Sequence, residues 1–308
     1  MSIQLTILGC HSATPRSDAH PTSQYLEINN RHFLIDCGEG TQMQLRKNKI
    51  KFSRIKHVFI SHLHGDHFFG LIGLISTFGL LNRPHELHIY GPKDLKVIIE
   101  TQLRLTKSWV DFPLHFHLLS SDKSELIFED KQVSVYTIPL NHRIYTNGFL
   151  FKEKRKDRKL ALDKIKSYPD IYICDYHKIK KGFDFVRENG EIISNDLLTE
   201  SPHEPLSYAF CSDTSYHESI IPIIKEVDLL YHEATFLEDN KELAEKTKHS
   251  TAKEAATIAK KAMVKRLIIG HFSNRYKDEQ RFLKEASEVF AEVKLAETDK
   301  VFTIINKD

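Results

Sequence analysis

The stretch Ser61-His62-Leu63-His64-Gly65-Asp66-His67 follows directly on the apolar run Val58 to Ile60. Four ligand-type side chains at the end of a buried strand restrict the folds open to the chain, because each must be held at a fixed angle to the others. An extended segment sends alternate side chains to one face, so His62 and His64 can reach the same metal ion. Gly65 then turns the chain, and Asp66 and His67 can face a neighbouring site. Imidazole with carboxylate suits zinc, with manganese or another divalent ion also possible. The pattern calls for a rigid scaffold carrying functional loops at its strand ends.

The rest of the chain is consistent with such a scaffold. It has 308 residues, 41% of them hydrophobic, enough for a large core. With 28% charged residues and no segment stripped of apolar ones, wholesale disorder is excluded. Forty-four Lys and Arg against 42 Asp and Glu leave a net charge of +2, so a polyanionic partner must meet a local basic patch. The opening MSIQLTILGC has no basic leader region, and no run of about 18 apolar residues occurs, so we expect neither signal peptide nor membrane span. Cys10, Cys37, Cys174 and Cys211 form no CxxC pair and read as reduced thiols, which together with the missing signal implies a cytoplasmic protein.

Strand-like runs recur from Ile3 to Leu8, Tyr25 to Ile28, His32 to Ile35, Val58 to Ile60, Leu87 to Tyr90 and Leu114 to Leu118. Others follow at Val133 to Ile138, Tyr208 to Phe210, Leu229 to Tyr231, Leu267 to Ile269 and Val301 to Ile305. Asn29-Asn30 suits a tight hairpin turn, since Asn tolerates positive φ. Helical patterns cover Thr41 to Lys47, Phe69 to Leu81, Lys93 to Leu105, Thr251 to Ala262 and Glu279 to Ala291. The fourth opens with a capping box formed by Thr251 and Glu254. Hairpins first and helices later argue a layered α/β protein with mixed sheets. Residues 152–200 break this rhythm: charged and weakly periodic, they read as an insertion within one domain spanning 1–308.

The metal motif resembles that of the metallo-β-lactamase superfamily, whose fold is an αββα four-layer sandwich of two mixed sheets. The resemblance implies three further ligands, matched by His142, Asp213 and His271, each after an apolar strand. It implies His62, His64 and His142 on one ion, Asp66, His67 and His271 on the other, and Asp213 between them. Within that superfamily the chain is similar to ribonuclease Z, the transfer-RNA 3′-end endonuclease. The resemblance rests on Leu8-Gly9-Cys10-His11-Ser12-Ala13-Thr14-Pro15, Asp36-Cys37-Gly38-Glu39-Gly40, His232-Glu233-Ala234-Thr235, His249-Ser250-Thr251 and His271-Phe272-Ser273-Asn274-Arg275-Tyr276. It implies two Zn2+ per subunit (Mn2+ or another divalent ion as an alternative) and Asp66 as general base; His249, oriented by Glu233, is the candidate general acid, because a neutral-range imidazole suits protonation of the leaving oxygen. The resemblance further implies precursor tRNA as substrate, a homodimer, and the 152–200 insertion as a flexible basic exosite arm. Lys152, Lys154, Arg155, Lys156, Arg158 and Lys159 in that arm, and Arg16, are then the candidate substrate contacts.

Two stretches depart from the family pattern. The arm lacks a Gly-Pro-rich tip, reading Ile173-Cys174-Asp175-Tyr176-His177-Lys178, and the loop from Arg16 to Ser23 lacks the Lys and Arg-Asn pair that read the transfer-RNA end. An enzyme of the same fold acting on another phosphodiester, a thioester or a lactone is therefore the main alternative. A non-catalytic RNA-binding protein and an iron-dependent oxidoreductase rank below it. His85, His88, His115 and His117 read as surface residues.

Overall fold

The computed structural model describes residues 2–14 and 16–306. Two compact units emerge: one comprises the chain up to Lys152 together with the chain from Leu206 on, the other Glu153–Pro205.

The larger unit holds two seven-stranded mixed sheets. In the first, strand order runs Val301–Ile305, Ser2–Gly9, Ser23–Ile28, Arg31–Ile35, His57–Phe59, Leu87–Pro92, Leu114–Leu119. In the second it runs Val293–Leu295, Leu267–Gly270, Leu229–Glu233, Ser207–Cys211, Asn147–Glu153, Val133–Pro139, Leu126–Glu129. Phe33, Phe59, Phe149, Phe151, Phe210 and Tyr231 fill the layer between the sheets. Leu71, Leu74, Ile99 and Leu103 belong to a second core under helices Gly70–Leu80 and Leu95–Leu105, and Ala255, Ala259, Phe282 and Ala286 to a third under Ala252–Lys261 and Gln280–Ser287. Burial on both sheet faces yields the four-layer αββα sandwich, so central strands read as continuous apolar runs.

The local signals are realised. Asn29 and Asn30 take φ of 48° and 61° in the hairpin turn. Thr251 and Glu254 close the reciprocal capping box. Arg31–Ile35, His57–Phe59, Leu87–Pro92 and Leu114–Leu119 are parallel, as are Ser207–Cys211, Leu229–Glu233, Leu267–Gly270 and Val293–Leu295. Their carboxyl ends carry the functional loops. Strands Leu126–Glu129, Asn147–Glu153 and Val293–Leu295 and helix Lys241–Thr247 went unread in the sequence.

The smaller unit has its own core of Ile165, Ile171, Ile179, Ile193 and Leu198. Two two-stranded ribbons and three short helices surround it. Among the described residues no helix is long and apolar enough to cross a membrane.

Candidate metal centre

Four of the five histidines of the candidate cluster are oriented by a hydrogen bond that fixes the tautomer. Ser61 Oγ donates to Asp36 Oδ2 at 2.9 Å, so it accepts from His62 Nδ1 at 3.0 Å and leaves His62 Nε2 a lone pair. His67 Nδ1 donates to Asp36 Oδ2 at 2.7 Å. His142 Nδ1 donates to the Lys248 carbonyl at 2.8 Å. Thr235 Oγ1 donates to Glu233 Oε2 at 2.6 Å, so it accepts from His271 Nδ1 at 2.8 Å. Four Nε2 atoms are thereby freed. His64 instead turns Nδ1 inward, 3.0 Å from His62 Nε2 and 3.2 Å from His142 Nε2.

These atoms converge in two groups, and Asp213 and His271 form a third with His249. Ligand atoms of His62, His64, His142 and Asp213 lie within 4.8 Å of one another, and so do those of Asp66, His67 and His271. Asp213 spans both groups: Oδ2 is 3.6 Å from His62 and 3.8 Å from His142, while Oδ1 is 3.3 Å from His67 and 3.2 Å from His271. The buried Nε2 of His67 has no hydrogen-bond partner, although carboxylate oxygens of Asp66 and Asp213 stand 3.3 Å away. A ring nitrogen facing two carboxylates and sealed from water calls for a proton or a divalent cation between them, so this donor set fits a metal pair.

The electrostatics follow the same division. Burial, then the charge of neighbouring His67, holds His62 well below the ordinary imidazole range, and burial with His142 lowers His64. These rings are neutral and free to ligate. Around His67, burial opposes charge, but Asp213, Asp66 and Asp36 outweigh it and hold the ring well above that range. Carboxylates dominate this half, which favours a cation.

The sequence builds the site from loops pressed together at strand ends. Asp36 takes φ of 55° just after its strand, and there its carboxylate accepts from Ser61 N at 2.7 Å as well. A Cβ at Gly38 would collide with the Asp66 carbonyl oxygen, so the acidic-glycine loop must be glycine there. His271 has φ of 64° and is held by its amide donating to the Cys10 carbonyl at 2.7 Å. Beside this cluster His249 Nδ1 lies 2.8 Å from Glu233 Oε1. Burial disfavours charge on His249, yet Glu233 pushes its pKa up to about 9. Glu233 is buried and also accepts from the amides of Thr214 and Thr235, both at 2.9 Å.

A cleft of about 630 Å³ opens over the cluster, lined among others by His64, Asp66, Asp213, His249, Arg143 and Arg275. Arg143 and Arg275 were not singled out from sequence; Arg143 directly follows His142, which was the available signal. The expected substrate contacts are placed differently. Arg16 pairs with Asp18 at 2.8 Å and with Glu279 at 3.6 Å. In the smaller unit Arg155 pairs with Glu204, Arg158 with Asp196 and Lys159 with Glu200. Lys156 is exposed, and Lys152, in the larger unit, lies over the Tyr136 ring at 6.0 Å. Lys154 is part-buried. Three of the six basic residues of the run are thus matched by acids.

His57, His88 and His115 occupy register-paired positions on adjacent parallel strands. Their rings stack at 5.1 and 4.9 Å, with His117 3.0 Å from His88. They sit at the amino-terminal ends of three strands, of which His57–Phe59 leads at its other end into the His62 to His67 segment, and they belong to no three-ligand group among the described residues.

Comparisons with known proteins bear on this geometry. Residues 3–155 match the family model described as Anti-Pycsar protein Apyc1. A ribonuclease Z of Bacteroides thetaiotaomicron is 46% identical over 303 residues, 98% of this chain and 96% of that protein. One of Parabacteroides distasonis is 48% identical over 286 residues, 93% and 94% of the two chains. The crystal structure of the short form of human tRNase Z superposes with a TM-score of 0.69 at 29% identity, covering 97% of this chain and 98% of that one.

Proposed function

Since the chain belongs to the ribonuclease Z family and is an endoribonuclease of the metallo-β-lactamase fold, we propose that it removes the 3′ trailer from precursor tRNA in the cytoplasm with two zinc ions per subunit. The observation that carries the reading is the pair of converging donor groups joined by Asp213. His62, His64 and His142 would hold one ion, Asp66, His67 and His271 the other, and Asp213 both. Zinc when bound would polarise the phosphoryl oxygens and lower the pKa of the attacking water. Manganese fits the same donors.

Asp66, buried in the lining of the cleft, accepts the proton of the attacking water. His249 then donates a proton to the leaving oxygen, and Glu233 orients it through Nδ1. A proton held to about pH 9 supports that role. Arg143 supplies a cation to the cleft for the RNA backbone. The 153–205 unit serves as the exosite and a homodimer as the working assembly, on the likeness to the family alone. Lys152, Lys154, Lys156 and the ion-paired Arg155, Arg158 and Lys159 would then meet RNA phosphates by exchanging carboxylate partners for phosphate.

The test is incubation with a 3′-extended precursor tRNA, with and without chelator, followed by mapping of the product ends. Chelator-sensitive cleavage near the end of the acceptor stem supports the proposal. Hydrolysis of bis(p-nitrophenyl) phosphate without precursor cleavage would instead favour a different phosphodiester substrate.

A further inference from the structure

A second cleft, of about 550 Å³, opens beside His64. Leu63, Leu119, Ile144 and Tyr145 line it, and Lys93, Asp94 and Ser120 contribute polar groups. It shares His64 with the cleft over the candidate metal ligands. Four consecutive residues connect the two: His142 joins the ligand group, Arg143 lines the first cleft, and Ile144 and Tyr145 line the second. The Tyr145 ring is pinned, its hydroxyl donating to the Ser121 carbonyl at 3.1 Å and accepting from Asn147 Nδ2 at 2.6 Å. A rigid ring and aliphatic walls with polar groups beside them match a planar base, apolar on its faces and polar at its edge. The volume lies within the roughly 300–1,000 Å³ usual for small-ligand pockets.

We propose that this cleft is a nucleobase subsite, taking the base of a nucleotide that adjoins the scissile phosphate. The shared His64 wall keeps base and phosphate within the reach of one nucleotide, and Arg143 offers its guanidinium to the phosphate on the metal side. The proposal rests on the reading of the chain as an RNA phosphodiesterase working at the His/Asp cluster. It adds a contact to the base itself, which orients the nucleotide before cleavage.

The experiment compares wild type, Ser120→Trp and Ile144→Ala on a 3′-extended precursor tRNA. Matched RNAs lack the base on the 5′ or the 3′ side of the cut. Ser120 is exposed, so the tryptophan fills the cleft from its rim without entering the core. Metal content and circular dichroism at the wild-type level certify folding of both variants. In wild type, removal of one of the two bases raises KM about tenfold with kcat changed little, as expected for loss of a stacked base. Ser120→Trp raises KM by a similar factor on intact RNA, Ile144→Ala by less, and both losses shrink to within about twofold on the abasic RNA, since partners in one interaction are not additive. Equal losses on intact and abasic RNA, or no effect of either abasic position, would overturn the subsite. If wild type leaves precursor tRNA uncut, the proposed substrate fails. The subsite is then read from thymidine 5′-(p-nitrophenyl phosphate) against methyl p-nitrophenyl phosphate. A KM advantage of the nucleoside ester that Ser120→Trp abolishes supports it, and equal KM values overturn it.

Discussion

Glu233 accepts from Thr214 N, Thr235 N, Thr235 Oγ1 and His249 Nδ1, so every neighbour presents a donor. Only an ionised carboxylate satisfies such a cradle, because an amide would direct N–H toward N–H. Through Thr235 the same carboxylate sets the tautomer of His271, and through Nδ1 it sets that of His249. One buried acid therefore aligns a candidate ligand and a candidate proton donor that act on different steps. Their roles separate on substitution. His249→Ala should lose about 10²–10⁴-fold in kcat, the usual worth of a positioned acid, while retaining its full complement of metal. Asp66→Ala should lose comparable turnover and part of its metal as well, measured by atomic emission on the dialysed protein. Equal metal loss in the two variants would contradict the division of labour.

At the scale of elements, the smaller unit leaves and rejoins the larger one at neighbouring rungs of a ladder: Lys152 pairs in register with Ser207 across antiparallel strands. A two-residue Asn-Gly hairpin is able to close that gap. A chain with 153–205 replaced by Asn-Gly, so that Leu206 stays in the core, should fold, bind metal as wild type does and hydrolyse bis(p-nitrophenyl) phosphate at the same rate. Its KM for precursor tRNA should rise by at least about tenfold, by loss of phosphate contacts; an unchanged KM would remove the exosite role. The insertion was legible because its charge and weak periodicity stood out against apolar strands on either side. The pairing of its basic residues was not, since Glu200 and Glu204 lie 41 and 49 residues beyond Lys159 and Arg155 and only folding brings them together. Strand Asn147–Glu153 went unread for a related reason. It sits mid-sheet with both faces buried, so its Phe149-Leu150-Phe151 run has no alternation to betray it. The candidate ligands were readable because each ends an apolar strand. Arg143 was passed over because an exposed arginine carries no pattern of its own.

For the molecule as a whole, the cluster joins the two sheets. His62, His64, Asp66 and His67 come from the first, and His142, Asp213 and His271 from the second. Anything bound there adds a link between the two halves of the sandwich, beside hydrogen bonds such as Tyr208 to Gln24 and Asn147 N to the Ser61 carbonyl. Chelation should therefore lower Tm, and zinc should restore it in a concentration-dependent way. The expected stabilisation is about 2.7 kcal/mol at a hundredfold excess over Kd, provided the unfolded chain binds none. An identical Tm with and without chelator would mean that the donors hold nothing of consequence.

The stacked histidines at the opposite strand ends have a consequence for how acid inactivates this enzyme. Burial, with repulsion from His88 and His117, drives His57 from the usual imidazole value down to about 4. The unfolded chain takes up that proton near pH 6.5, whereas the folded chain does so only near pH 4. Stability is thus complete above about pH 6.5 and declines as the pH falls toward 4. Part of any activity lost on the acidic side would accordingly report strand ends loosening far from the chemistry, beside protonation of the site histidines that burial also holds low. His57→Phe should flatten the fall of Tm between pH 6.5 and 4 while leaving the alkaline limb of kcat where it stands.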